Sequence, residues 1–207
     1  MARVQSCPAC GKGYELQLSD TWLLMCPSCQ EFIYGNAIKG TAGKMPADWS
    51  WIKMGTTGVY DKKKFSITGR VRIQTQHDVM NLWCARCEDK SIWINHTTDS
   101  LRVYGKYTAV YVEVKKNPVG EMIRISDKYS LRCESKGECN QLHAEGEVSS
   151  LPIEGKNFEV LKASNATGNS ALIFKTTGDG PSPFLWGAIM EADDLKFQNT
   201  IALDEWK

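Results

Sequence analysis

Two turns of one pattern stand near the start of the chain, Cys7-Pro8-Ala9-Cys10 and Cys26-Pro27-Ser28-Cys29, with fifteen residues between them. Each tight turn can bring two thiolates to one side of a tetrahedral ion, and two such turns complete a four-sulfur shell. Between them, Tyr14 to Leu18 and Thr21 to Met25 read as two short strands joined by Ser19-Asp20. Residues 1–36 are therefore expected to form a zinc ribbon holding one structural Zn2+ at Cys7, Cys10, Cys26 and Cys29. Four thiolates leave no position open to water or substrate, so such an ion holds the fold and does not catalyse. Two disulfides are the rival reading. They need an oxidising compartment, and Met1 to Ser6 show no apolar secretory stretch, so the expectation is a cytoplasmic chain.

Cys84, Cys87, Cys133 and Cys139, with His143 close behind, form a second set on which three readings stand open. As strand residues, Cys84 and Cys87 point to opposite faces as small apolar side chains. As a second zinc site, the C-x-x-C needs a local knuckle and a fold that returns Cys133 and Cys139 to it. As a redox dithiol it needs a helix N-terminus to lower a thiol pKa, in a stretch that reads as strand.

Other catalytic patterns are missing. The chain has no H-E-x-x-H, no phosphate-binding Gly-Lys-Ser/Thr loop and no G-x-S-x-G. Its histidines, His77, His96 and His143, stand apart, and the acid pairs Glu88-Asp89 and Asp193-Asp194 suit solvated turns. No catalytic residue is assigned, and the expectation is a protein that is not an enzyme.

The chain these residues sit on has 207 residues and is 42% hydrophobic, enough for a real core. Its 25 basic and 24 acidic residues leave a net charge of +1, so no global field recruits nucleic acid or anionic membrane. No run of eighteen apolar residues suggests a membrane span.

From Lys64 to Ile73 apolar and polar residues alternate, which marks a half-buried strand. Further strands are expected at Asn81–Cys87, Ser91–Asn95, Leu101–Tyr104 and Tyr107–Val114, separated by short polar turns. Landmarks recur in order: Phe65 and Phe158 precede Trp93 and Trp186 by twenty-eight residues each, and Leu101-Arg102-Val103 answers to Leu195-Lys196-Phe197. The expectation is a mainly β protein, an N-terminal zinc ribbon followed by a duplicated small β-barrel or sandwich-like unit. Its parts are the ribbon (1–36), a linker (37–54), a first β unit (55–114), a connecting insertion (115–142) and a second β unit (143–207).

The ribbon, the linker, Gly55 to Tyr60 and the strand Lys64-Phe65-Ser66-Ile67-Thr68-Gly69-Arg70-Val71 resemble bacterial proteins that carry domain of unknown function 4178. Trp83, Glu88-Asp89 and Trp93-Ile94 occupy the position of that family's tryptophan-rich hairpin. The resemblance implies a fold and an accessory role, and hands over no catalytic residues. Cys84 and Cys87 depart from it, standing where the usual pattern has aromatic or aliphatic residues.

The functional expectation is a non-catalytic adaptor that binds an unidentified protein through the β module, with Trp22, Trp49, Trp51 and Trp206 as candidate contact residues. A membrane-associated partner is compatible with it; membrane insertion is not expected. A nucleic-acid-binding ribbon is the alternative, with Trp22 stacking and Lys12 pairing, and a thiol oxidoreductase through Cys84 and Cys87 ranks third. Against nucleic acid, Lys12 is expected to be met by Glu15 and Asp20. The run Lys62-Lys63-Lys64 reads as a solvated turn ahead of a small anion patch.

Overall fold

The computed structural model describes residues 4–34, 42–46, 50–97, 100–105, 110–116, 118–153, 158–176 and 181–202. The expected contact residues Trp49 and Trp206 lie outside these. Among the described residues there is no α-helix; the chain is mainly β, as expected. The ribbon carries β1 (Val4–Ser6), β2 (Gly13–Glu15), β3 (Thr21–Met25) and β4 (Phe32–Tyr34), and β5 (Ala42–Gly43) and β6 (Thr57–Tyr60) follow. A meander comes next: β7 (Lys63–Thr75), β8 (Val79–Cys87), β9 (Lys90–His96) and β10 (Leu101–Tyr104). Two short strands, β11 (Tyr111–Glu113) and β12 (Met122–Arg124), lead to a second meander of β13 (Ser130–Ser149), β14 (Phe158–Ser164), β15 (Asn169–Thr176) and β16 (Pro181–Met190). A short 3-10 turn, Ala192–Leu195, ends the regular structure.

The two meanders close on each other. β7 pairs antiparallel with β13, and β10 antiparallel with β16, so the first strands and the last strands of the two halves form the two seams. The result is one eight-stranded antiparallel barrel in the order β7-β8-β9-β10-β16-β15-β14-β13, which leaves no free edge in the barrel wall. β13 runs through position 142, where the sequence suggests a boundary.

Strand alternation sorts side chains between an inner core and two outer ones. Val71, Leu82, Cys84, Trp93, Tyr104, Ala144, Val160, Leu172 and Leu185 are among the residues that fill the interior, contributed by all eight strands. Outside the first meander, Phe65, Ile67, Trp83, Ile92 and Val103 pack under Ile52, Trp51, Leu195 and Phe197. Outside the second, Leu131, Leu161, Ile173 and Phe184 are covered by Val112 of β11 and Ile123 of β12. A bulge between Ile67 and Gly69 switches the parity of β7, which is why Phe65 faces outward and Val71 inward on one strand.

The proposed equivalence of landmarks does not hold. Phe65 lies on the first strand of its half and in an outer core, Phe158 on the second strand and in the interior. Trp93 is fully buried in the interior, whereas Trp186 lies half-buried on the outer face. Leu101 begins a strand and Leu195 ends a 3-10 turn. Bulges change which face a residue occupies without changing its residue type, so matching residue types did not report matching faces.

At the β10–β16 seam Gly187 faces Tyr104, and a Cβ there would strike the carbonyl oxygen of Val103. Gly187→Ala is expected to cost about 3 kcal/mol through seam strain, read as a lower urea midpoint with unchanged metal content. A cost under ~0.5 kcal/mol would show that the seam is looser than described.

Candidate metal centre

Both C-P-x-C turns fold alike because each is closed by the same backbone bonds. The Cys7 amide donates to Lys12 O and Gly11 N to Cys7 O; the Cys26 amide donates to Glu31 O and Gln30 N to Cys26 O. The closing residue takes a left-handed conformation in each, Gly11 at φ 71° and Gln30 at φ 56°. Glycine does this without strain, whereas a glutamine is held there by the turn around it.

The turns bring Cys7, Cys10, Cys26 and Cys29 together, with the four sulfurs within 4.8 Å of one another. Across the turns Cys7 Sγ lies 3.5 Å from Cys29 Sγ, and Cys10 Sγ 3.7 Å from Cys26 Sγ. A tetrahedral ion bound at ~2.3 Å sets sulfurs about 3.8 Å apart, whereas a disulfide needs ~2.05 Å. All four cysteines are free thiols. The group could hold a metal ion, and among the described residues no other cluster of His, Cys, Asp or Glu could.

The surroundings favour charge on one sulfur. Burial alone would push the Cys26 thiol up, but the Tyr14 hydroxyl at 3.2 Å and the amides of Cys29 and Ser28 outweigh it and bring it down to about 6. At Cys29 the Glu31 amide favours the thiolate, yet burial and the three neighbouring thiols prevail and push it up to about 12. Four sulfurs this close cannot all ionise alone; a cation in their midst is what allows it.

The ribbon is fastened to the barrel. β3 pairs with the end of β13, and Leu18, Leu23 and Met25 enter the interior core, with Trp22 and Phe32 packed against it. Glu147, 4% exposed, accepts hydrogen bonds from Gln17 N at 2.7 Å, Leu18 N at 2.9 Å and the Thr21 hydroxyl. Ser149 donates to Asp20 at 2.6 Å, and Ser91 lies within hydrogen-bond distance of both. No sequence pattern flagged this clasp, whose members are up to 130 positions apart.

Other expectations need correction. Lys12 bonds Ser28 at 2.9 Å and lies over the Tyr14 ring; it does not meet Glu15 or Asp20, because Asp20 turns into the barrel. Trp22 and Trp51 are half-buried, each packing one side on a core, and Trp51 donates to His96 at 3.1 Å. The second cysteine set is not brought together. Cys84 and Cys139 face the interior, Cys87 one outer core and Cys133 the other, while His143 accompanies Lys44 O. The cause is strand geometry: Cys84 and Cys87 lie three residues apart on one strand, about 10 Å, beyond the ~7 Å reach of a disulfide.

Burial pushes the Cys84 thiol up to about 12 from 9.0. Above pH 9 the unfolded chain loses this proton while the folded chain keeps it. Stability is therefore expected to fall by up to ~1.4 kcal/mol per pH unit between 9 and 12 on this account, with no effect below 9. Urea midpoints at pH 8 and 10 should show a shallower fall for Cys84→Ala than for the parent; equal slopes would contradict the burial argument.

A ribbon whose four cysteines could hold a metal ion, clasped onto an eight-stranded antiparallel barrel, is the class that fold and site define. Compared with models of known protein families, with curated proteins and with solved structures, the chain finds no match. Among the described residues no helix is long and apolar enough to cross a membrane.

Proposed function

We propose that the chain is a non-catalytic, zinc-loaded adaptor that binds another protein through the outside of its barrel, in keeping with its resemblance to the domain of unknown function 4178 proteins. Four thiolates in tetrahedral reach suit Zn2+ and leave it no open coordination position. The barrel interior is filled by side chains from every strand, so binding falls to outer surfaces. The observation that carries the reading is the placement of exposed apolar residues. Val110, Tyr111, Val119, Met122 and Tyr129 are five of the seven large exposed hydrophobics among the described residues, and all lie in the layer built around β11 and β12. Large apolar side chains concentrated on one face mark interaction surfaces more than scattered ones do.

Affinity capture with the zinc-loaded full chain tests it. The expected result is a protein retained by the parent, at least tenfold depleted with Tyr111→Ser and Met122→Ser combined, at unchanged metal content. Equal capture by both would contradict the reading. Micromolar DNA or RNA binding that weakens steeply with salt and is lost on replacing Lys62, Lys63 and Lys64 would replace it with nucleic-acid recognition.

A further inference from the structure

An open groove of about 660 Å³ lies away from both the ribbon cysteines and the β11–β12 layer. Val59, Lys64, Ser66, Arg86, Lys196 and Gln198 are among its lining residues. Three of its lining side chains, Lys64, Arg86 and Lys196, are cationic, against one carboxylate, Glu88. Among the described residues, no hydrogen bond or ion pair holds the side chains of Lys64, Arg86 or Lys196. Glu88, which also lines the groove, is neutralised by Lys63 at 2.7 Å.

The backbone adds a further donor. A two-residue turn joins Tyr60 to Lys63, and the register pairs Gly58 with Phe65, so the alternate residues Thr57 and Val59 turn their amides away from β7. Gln198 takes both backbone groups of Thr57. Lys196 adopts φ 46° at the end of the 3-10 turn, and Val59, whose amide turns away from β7, lines the groove. Of the six non-glycine residues with positive φ among those described, Asp61, Lys62, Glu88, Lys196 and Asn199 stand in the turns around this groove. Each costs of order 1 kcal/mol over a glycine, and strain of this kind gathers where side chains are held for use.

We propose that this groove is a recognition site for a compact oxyanion, held by Lys64, Arg86 and Lys196 with the Val59 amide and the Ser66 hydroxyl as neutral donors. The site deepens the adaptor reading and rests on it for the source of the ligand, an acidic segment of the partner protein presenting carboxylates. Phosphate offers the same chemistry from a different source.

The test is a titration of the zinc-loaded full chain at low salt, following the amide resonances of Val59, Ser66 and Lys196. One arm uses inorganic phosphate, a second a blocked Glu-Asp-Glu peptide, a third its Gln-Asn-Gln counterpart. Saturable shifts with the acidic peptide and none with the amide peptide are expected, weakened about tenfold by Arg86→Gln with Lys196→Gln. Lys62→Gln, outside the lining, should leave binding within about twofold. Saturation by phosphate alone would support the oxyanion site and assign its ligand to phosphate. No saturable shift in any arm, or binding indifferent to the double variant, would overturn the site. Protein capture through the β11–β12 layer is a separate readout, so either reading can fail while the other stands.

Discussion

Replacing Cys26 with Ser is expected to remove the metal and unfold the outer part of the ribbon. The effect should be the largest of any single substitution. Structural zinc contributes roughly 10–16 kcal/mol of apparent binding energy in small domains, where binding and folding are one event. The β1–β2 pair has little else to hold it: Val4 is 63% exposed, and neither strand contains a fully buried residue. β3 is different, since it pairs with β13 and sends Leu23 and Met25 into the barrel core. Hydrogen exchange should therefore show loss of protection across residues 4–15 with most protection kept in β7, β8 and β9. Protection unchanged in β1 and β2 would mean that the ribbon folds without its metal.

The second large effect is expected at Glu147. Glu147→Ala strips the acceptor from Gln17 N, Leu18 N and the Thr21 hydroxyl, donors gathered where Leu18 and Thr21 are themselves buried. The Thr21 hydroxyl keeps Leu18 O as an acceptor at 3.0 Å and Gln17 is exposed, so the loss falls mainly on the buried Leu18 amide. A buried donor left without a partner costs ~1–3 kcal/mol, and a loss of about 2–3 kcal/mol is expected. Glu147→Gln keeps one acceptor oxygen and should lose about half as much. Faster exchange at the Gln17 and Leu18 amides, with metal still bound, would locate the loss at the clasp. A cost below ~1 kcal/mol would show that core packing alone seats the ribbon.

The sequence carried much of this fold where local chemistry decided it. Cys7, Cys10, Cys26 and Cys29 were legible because the turn that presents two thiolates is a four-residue event. The strands from Lys64 to Tyr104 were legible because apolar alternation is itself local. Two bulges hid the first half of β13. Register shifts between Cys133 and Ser135, and again between Cys139 and Gln141, break the period of two, so a twenty-residue strand read in part as an insertion. The pairing of β7 with β13, which closes the barrel, and the Glu147 clasp both join distant positions. No local pattern encodes either. The groove at β6 was half visible: Lys62-Lys63-Lys64 stood out, but Arg86 and Lys196 come to it only through the fold.

The most direct test of the account is the metal content of the intact chain. Native mass spectrometry of the full-length protein under reducing conditions, paired with elemental analysis, should find one zinc per chain, lost when Cys26 is replaced by Ser and kept when Cys84 is replaced by Ala. A folded chain carrying no metal, with four freely reactive thiols at Cys7, Cys10, Cys26 and Cys29, would contradict it.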